Sequence, residues 1–297
     1  MSARTERVTR VFQELETGFD GDLAAVRAFL RQKSISYTSE GIRETAELVA
    51  GFIREAGGTA RLVETPGHPV VLGRIEANQP RTLLIYGMYD TMPADEPDWS
   101  VDPFAAAVVD LPGLGPSVIA RGAANTKGPL RGFFNVLRAY RAAGVELPCN
   151  LLFAIEGEEE YGSRHFPGFV EAHREELRRA QGVFFPVFSE QADGTVELWL
   201  GVKGILYLEL TCRGGDWGGP TERGIHGSNN VVVANPAWRL VRALSTLVDD
   251  EENILVAGFF DDVAPPTEAD RRLCQRLSET EAAEQFRAAN AVRRFKG

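Results

Sequence analysis

The sequence predicts an α/β protein: a mostly parallel central sheet with helices on both faces, followed by a smaller, incomplete α+β layer. Three observations carry this. Short apolar runs at 82–86, 150–155 and 183–188 are bounded by turn residues, as strands buried on both faces are. Stretches with helical spacing of apolar residues lie between them. Beyond Gly201 the pattern changes to strand, helix, strand, helix around Gly-rich loop, which predicts a separate unit. The expected division is an α/β domain over 1–200 and a partial α+β domain over 201–297.

Residues 8–15 and 22–32 have helical spacing. Leu23, Val26, Phe29 and Leu30 fall on one face, and Asp22 is the expected N-cap. Residues 39–56 form the next helix, with Ile42, Leu48, Val49, Phe52 and Ile53 as its stripe and Gly57-Gly58 ending it. Strands follow at 60–64 and 70–75. The run 82–86 delivers Gly87-Met88-Tyr89-Asp90 to its carboxyl end. Gly- and Pro-rich loop leads to Pro116 and a short strand at 118–120. Residues 121–128 make a tight loop, and Pro129 suits the first turn of a helix through Tyr140. The run 150–155 delivers Glu156-Gly157-Glu158-Glu159-Glu160-Tyr161-Gly162-Ser163, and a helix begins near Pro167. The strand 183–188 ends at Ser189-Glu190. Later come a strand at 204–212, a helix at 235–247, a strand at 254–260 and a helix at 267–277. That first helix is expected to turn Trp238, Leu240, Val241, Leu244 and Leu247 inward. Leu206, Leu208 and Leu210 need a covering layer, as do Ile254, Val256 and Phe260. Uncovered strand edges promote pairing, so a homo-oligomer or a complementing second chain is expected.

The bulk numbers narrow the function classes. The chain has 297 residues, 44% hydrophobic and 25% charged, with a formal net charge of -10. That balance is ordinary for a globular protein and argues against a nucleic-acid surface. Cys149, Cys212 and Cys274 are scattered, with no Cys-x-x-Cys pair, so a reducing compartment is favoured. No apolar run is long enough to span a bilayer, and the first residues carry no apolar signal core. A cytoplasmic protein without a membrane partner is the expectation.

Four carboxylates crowd the end of the strand at 150–155. In open α/β sheets that end forms the ligand crevice. So much negative charge beside a buried strand costs free energy unless a cation or protons offset it. On this stretch alone two readings stand: a metal site with one carboxylate as ligand and one as base, or a solvated acidic loop.

Several separated stretches resemble one family. Tyr86-Gly87-Met88-Tyr89-Asp90 resembles the Gly-His-x-Asp motif of the co-catalytic zinc peptidases and deacylases. That group includes carboxypeptidase G, aminoacylase, carnosine dipeptidase, acetylornithine deacetylase and succinyl-diaminopimelate desuccinylase. Trp99 with Asp102-Pro103-Phe104 is similar to its Trp-x-x-x-Pro-Phe loop, and Arg121-Gly122 with Lys127-Gly128 to its Arg-Gly-x-x-Asp-x-Lys-Gly loop. Glu159-Glu160-x-Gly-Ser resembles its base-and-ligand pair. Gly201-x-Lys203-Gly204, His226 and Asn235-Pro236 resemble the start of its lid. The resemblance runs in order from about residue 20 to residue 270 and implies a two-zinc hydrolase. It implies Glu159 as general base, Glu160 as metal ligand and Asp90 as the carboxylate orienting a ligand. It also implies His226 as a group reaching a neighbouring subunit's site and Asn235 as a substrate contact.

The departures from the family pattern fall on the metals. Met88 stands where the motif has a ligand His, and a thioether is a weak donor to zinc. Asn125 stands where it has a bridging Asp. Glu190 is the nearest candidate for the next acidic ligand, and the last ligand His is expected beyond residue 297. The expected cofactor is therefore zinc, or manganese or cobalt, with one ion at most from this chain's own donors. Three accounts remain open. One is a divergent metal-dependent hydrolase of amide bonds in small acylated amino acids or dipeptide-like substrates. The second is a non-catalytic or complementing subunit, and the third is metal-independent chemistry in the inherited pocket with Glu159 as base. His68, His165 and His173 are expected at the surface; Glu158, with Glu159, Glu160 and Asp90, favours some chemistry, against the plainer reading of Glu158 as surface. Lys127 is expected to pin its loop, Arg121 to make an ion pair, Trp99 and Phe104 to pack, and Met88 to line the pocket.

Overall fold

A computed structural model of the protein describes residues 3–190, 196–278 and 282–295. The chain divides into two compact units, Met1–Leu200 and Gly201–Gly297.

The first unit is built on a sheet ordered β1-β2-β6-β3-β7. Its strands are β1 (Thr59–Val63), β2 (Val70–Ile75), β3 (Thr82–Met88), β6 (Asn150–Glu156) and β7 (Gly182–Phe184). β6, β3 and β7 run parallel, while β2 and β1 add an antiparallel edge, so the sheet is mixed. A separate antiparallel hairpin joins β4 (Ala107–Leu111) to β5 (Gly115–Ile119). The sequence reading had only a short strand near 118–120, because Gly113 and Gly115 make the stretch look like loop. β7 is shorter than the apolar run 183–188 suggests: residues 185–189 have no strand partner among the described residues.

Helices cover both faces, and β6 shows why. Side chains alternate along a strand. Leu151, Phe153 and Ile155 pack with Ile42, Val49 and Ile53 of α3 (Ile42–Glu55) and with Leu130, Phe134 and Leu137 of α4 (Lys127–Ala142). Leu152 and Ala154 point the other way, toward Phe166 and Phe169 of α5 (Phe166–Ala172) and Leu177 of α6 (Arg174–Leu177). The α4 side holds an aromatic seam in which Phe134 stacks on Phe153 at 5.8 Å and tilts against Phe52 at 5.5 Å.

α1 (Ala3–Thr17) and α2 (Phe19–Arg31) lie against α4. Asp22 is not an N-cap. It sits inside α2, where Gly18 holds the cap position, and its carboxylate takes both Nε and Nη2 of Arg138 at 2.7 and 2.8 Å. The distant cation on α4 outcompetes the local capping role that position alone suggested.

The second unit contains α7 (Pro236–Leu244), α8 (Glu268–Ser278) and α9 (Ala282–Ala289). The strands expected at 204–212 and 254–260 are absent among the described residues. Ile254 makes one isolated bridge to Val248, and Leu206 and Leu208 are 79% and 73% exposed. The apolar pattern is there, but a strand needs a partner backbone to pair with. Likewise Trp238, Val241, Leu244 and Leu247 are exposed and not turned inward.

Candidate active site

The parallel register sets Met88 opposite Glu156, so both strands release their loops at the carboxyl end of the sheet. Past Met88 the Tyr89 N–H donates to the Glu156 carbonyl at 2.9 Å, and the buried Tyr89 hydroxyl donates to the Pro69 carbonyl at 2.7 Å. Gly157 is required beside that ring, since a Cβ there would lie 2.4 Å from Tyr89. This packing places Asp90, fully buried, against the short 3₁₀ turn Glu159–Tyr161. The first N–H groups of such a turn lack internal partners. Asp90 supplies them: Oδ1 accepts from Glu159 N–H at 3.2 Å and Oδ2 from Glu160 N–H at 3.1 Å.

The site is an acid cluster in a desolvated setting. Burial pushes the Asp90 carboxyl up to about 6, against the Glu159 and Glu160 N–H bonds that favour its charged form. Burial raises Glu159, and burial with the nearby Glu159 and Asp90 charges raises Glu160. Glu156 is one of the four acids marked in the sequence, but nothing there assigns it a role. It is buried, its Oε1 accepts from Tyr86 and Ser163 hydroxyls at 2.7 and 3.0 Å, and its Oε2 has no partner among the described residues. Burial pushes it up to about 7, chiefly against the Tyr86 bond.

Asn125 joins this cluster: its Nδ2 donates to Glu160 Oε1 at 3.1 Å. Met88 is buried, and its carbonyl accepts from Thr126 Oγ1 at 3.4 Å. Lys127 pins the loop through the Gln32 carbonyl, with its ammonium 4.6 Å from the Phe29 ring, and burial without a carboxylate partner pulls it down to about 7. Arg121 pairs with Glu96 and lies over Trp99. Asp90, Glu159, Glu160, Asn125 and Met88 are thus brought together. Glu190 is exposed, bridged to Val196, and lines a different, open apolar groove of about 820 Å³ between α4 and β7. His226 and Asn235 lie in the second unit, where they line one small cavity of about 70 Å³. Each is engaged locally: His226 Nδ1 accepts from Ser228 N–H, and Asn235 Oδ1 caps α7 through Ala237 N–H.

The surface expectation for the three histidines fails. Glu158 is buried, and His68 and His165 are half-buried beside it. His165 Nδ1 lies 2.9 Å from Glu158 Oε2, and His68 N–H donates to Glu158 Oε1 at 3.2 Å. His173 is also half-buried, tilted against Phe169 at 4.8 Å. No feature of the sequence brought 68, 158 and 165 together.

The peptidase family M20/M25/M40 matches residues 84–292. The chain belongs to this family. The Cys-Gly metallodipeptidase DUG1 of Candida albicans is 34% identical over 217 residues, covering 69% of this chain and 41% of that protein. The β-Ala-His dipeptidase of Homo sapiens is 34% identical over 216 residues, covering 68% and 39%. The M20 metallo-carboxypeptidase Sso-CP2 of Sulfolobus solfataricus superposes with a TM-score of 0.77 at 34% identity, covering 93% of this chain and 60% of that one. This chain therefore spans about two fifths of the length of these curated relatives. The α/β fold matches the M20 expectation, and the family implies a divalent metal, typically zinc.

The donors among the described residues do not fit a pair of such ions. Among the described residues no three His, Cys, Asp or Glu side chains cluster so as to hold a metal. At the position of the acid loop, an amide proton of Asn125 points at Glu160 Oε1, and a thioether lies at 88. A neutral amide donor faces a carboxylate as a cation would, but it contributes no charge and takes up one of its lone pairs. Among the described residues no helix is long and apolar enough to cross a membrane.

Proposed function

We propose that the chain carries the proton-handling part of an amide-hydrolysing site for dipeptide-like substrates or small acylated amino acids. The observation that supports it best is the pair of bonds from Glu159 and Glu160 N–H to Asp90, which presents two adjacent carboxylates at the carboxyl end of the sheet. Identity above 30% to two dipeptidases points to the substrate class.

In this reading Glu159 is the base. Its burial-raised carboxyl holds a proton more readily than an exposed glutamate does. It takes a proton from the attacking water as the oxygen–carbon bond forms. It then gives that proton to the amine nitrogen as the carbon–nitrogen bond breaks. Asp90 keeps the turn in place, and Glu160 is the carboxylate next to the reacting water. Any divalent cation in this site draws on Glu160 and on donors other than Asn125 and Met88. His226 and Asn235 stand as substrate contacts of the second unit, and Glu190 as a more distant acid.

A second reading, a non-catalytic or complementing subunit, is favoured by the Asn125–Glu160 bond. Exposed apolar residues from Leu198 to Leu210 also favour a homo-oligomer or a complementing chain. Purified protein incubated with Cys-Gly and β-Ala-His, with and without added zinc, manganese or cobalt, tests the first reading. Turnover lost in Glu159→Gln supports it. No turnover under any condition, with sedimentation showing assembly onto a second polypeptide, supports the subunit.

A further inference from the structure

Glu158, His68 and His165 form one wired cluster at the entry to the Glu159–Tyr161 turn. Only 6% of the Glu158 side chain is exposed. Its Oε1 accepts from His68 N–H at 3.2 Å, and its Oε2 accepts from His165 N–H at 3.3 Å. The His165 ring nitrogen Nδ1 lies 3.1 and 2.9 Å from the two oxygens. The Glu158 carbonyl in turn accepts from Tyr161 and Ser163 N–H at 3.1 and 2.8 Å. The side chain therefore fastens the turn to the β1–β2 loop, while the backbone closes the turn itself. That loop is held further on: His68 Nε2 lies 2.9 Å from the Ser36 carbonyl, and the neighbouring Tyr37 ring meets Tyr161 edge-on at 4.8 Å. Gly67 completes the fit, since a methyl group there would lie 1.8 Å from Glu158 Oε1.

A buried carboxylate is a costly way to fill space, and an apolar residue of similar size would serve packing alone at least as well. What the carboxylate adds is direction. Its lone pairs select one backbone donor from the remote β1–β2 loop and one seven residues on, and set the turn's position between them. The turn's next residue is Glu159, whose own amide is fixed by Asp90 from a third segment. We propose that Glu158 is a positioning residue that, with the 65–68 loop, fixes where the Glu159 carboxylate points. The inference rests on the reading of Glu159 as the proton acceptor. Misplacing a reacting group by about an ångström costs on the order of 100-fold in rate, so a small shift of this turn is enough to be measured.

The test uses the whole chain and three variants, Glu158→Leu, Glu158→Gln and Gly67→Ala, with two readouts. The first is hydrogen exchange at the amides of residues 159–161; the second is kcat and KM for Cys-Gly. Glu158→Leu and Gly67→Ala are expected to speed exchange at those amides by about 10-fold and to lower kcat by about 10-fold or more, with KM nearly unchanged. Glu158→Gln, which keeps a carbonyl acceptor, is expected to recover much of both. Gly67→Ala displaces the carboxylate without removing it, so it carries the test if Glu158→Leu does not fold. Unchanged exchange at 159–161 in Gly67→Ala overturns the proposal, and so does a kcat loss in Glu158→Gln as large as in Glu158→Leu. If the unaltered chain hydrolyses no dipeptide, the reading of Glu159 falls, while the exchange measurement still decides whether Glu158 positions the turn.

Discussion

Asp90 and Glu160 lie seventy residues apart in sequence, and the Glu160 N–H donates to Asp90 Oδ2 at 3.1 Å. The bond joins the loop after β3 to the turn after β6. Asp90→Ala strands two N–H groups in a partly buried turn. It should cost about 1–3 kcal/mol, with part of the loss offset because a buried carboxyl is gone. Denaturant midpoints measure this, and an unchanged midpoint would show that the turn finds other acceptors.

Glu159→Gln keeps size and hydrogen bonding but cannot take a proton. Turnover is expected to fall about 100- to 10,000-fold while the melting temperature holds or rises. Stopped assays on Cys-Gly read it out. A variant within a few fold of the parent would remove Glu159 from the reaction.

Glu156 makes stability depend on pH. Its folded carboxyl lies at about 7, above the value of 4.5 for an unperturbed group, so the folded state binds its proton more tightly. The stability it contributes is complete below the unfolded value and is lost as pH rises through about 7. The loss is at most about 3 kcal/mol between about pH 5 and about pH 8. Asp90, at about 6, adds to the lower part of that window. Glu156→Gln should flatten the midpoint-against-pH curve, because its Oε1 still accepts from Tyr86 and Ser163. Parallel curves for parent and variant would refute the assignment.

Asn125→Asp replaces an amide proton aimed at Glu160 with a second carboxylate. Affinity for manganese or zinc should rise by about 10-fold or more, since hard and borderline cations favour charged oxygen donors. Titration calorimetry decides it. No gain would mean that position 125 does not face the cation.

Asp22→Ala breaks the fork with Arg138 between α2 and α4. The expected loss is about 1–3 kcal/mol, because the acid is mostly buried while the arginine is partly wet. A loss below a few tenths would mean the pair is balanced by its desolvation.

The parts legible in the sequence were those written locally. The run Asn150 to Ile155 is continuous and apolar, so β6 and the acids it delivers could be read directly. Glu159 and Glu160 stood out because the stretch around them resembles a known motif. The Asp22 fork was not legible, because its partner is on another helix. The role of Glu158 stayed open because one of its donors comes from residue 68, ninety residues away, and nothing in the sequence pairs that residue with 158 and 165. In the second unit, Leu206, Leu208 and Leu210 recorded a capacity to pair. Pairing depends on another backbone, which a single chain's pattern does not supply.

The matched register of Met88 and Glu156 also limits how this lineage can vary. Inserting or deleting one residue between 82 and 90, or between 150 and 160, would turn inward-facing side chains outward and detach Asp90 from the turn it holds. A conservative replacement on one face leaves this register in place, whereas a change of length shifts it along the whole strand. Gaps among natural variants should therefore collect in places such as the β4–β5 bend and leave the spacing of these two strands unbroken.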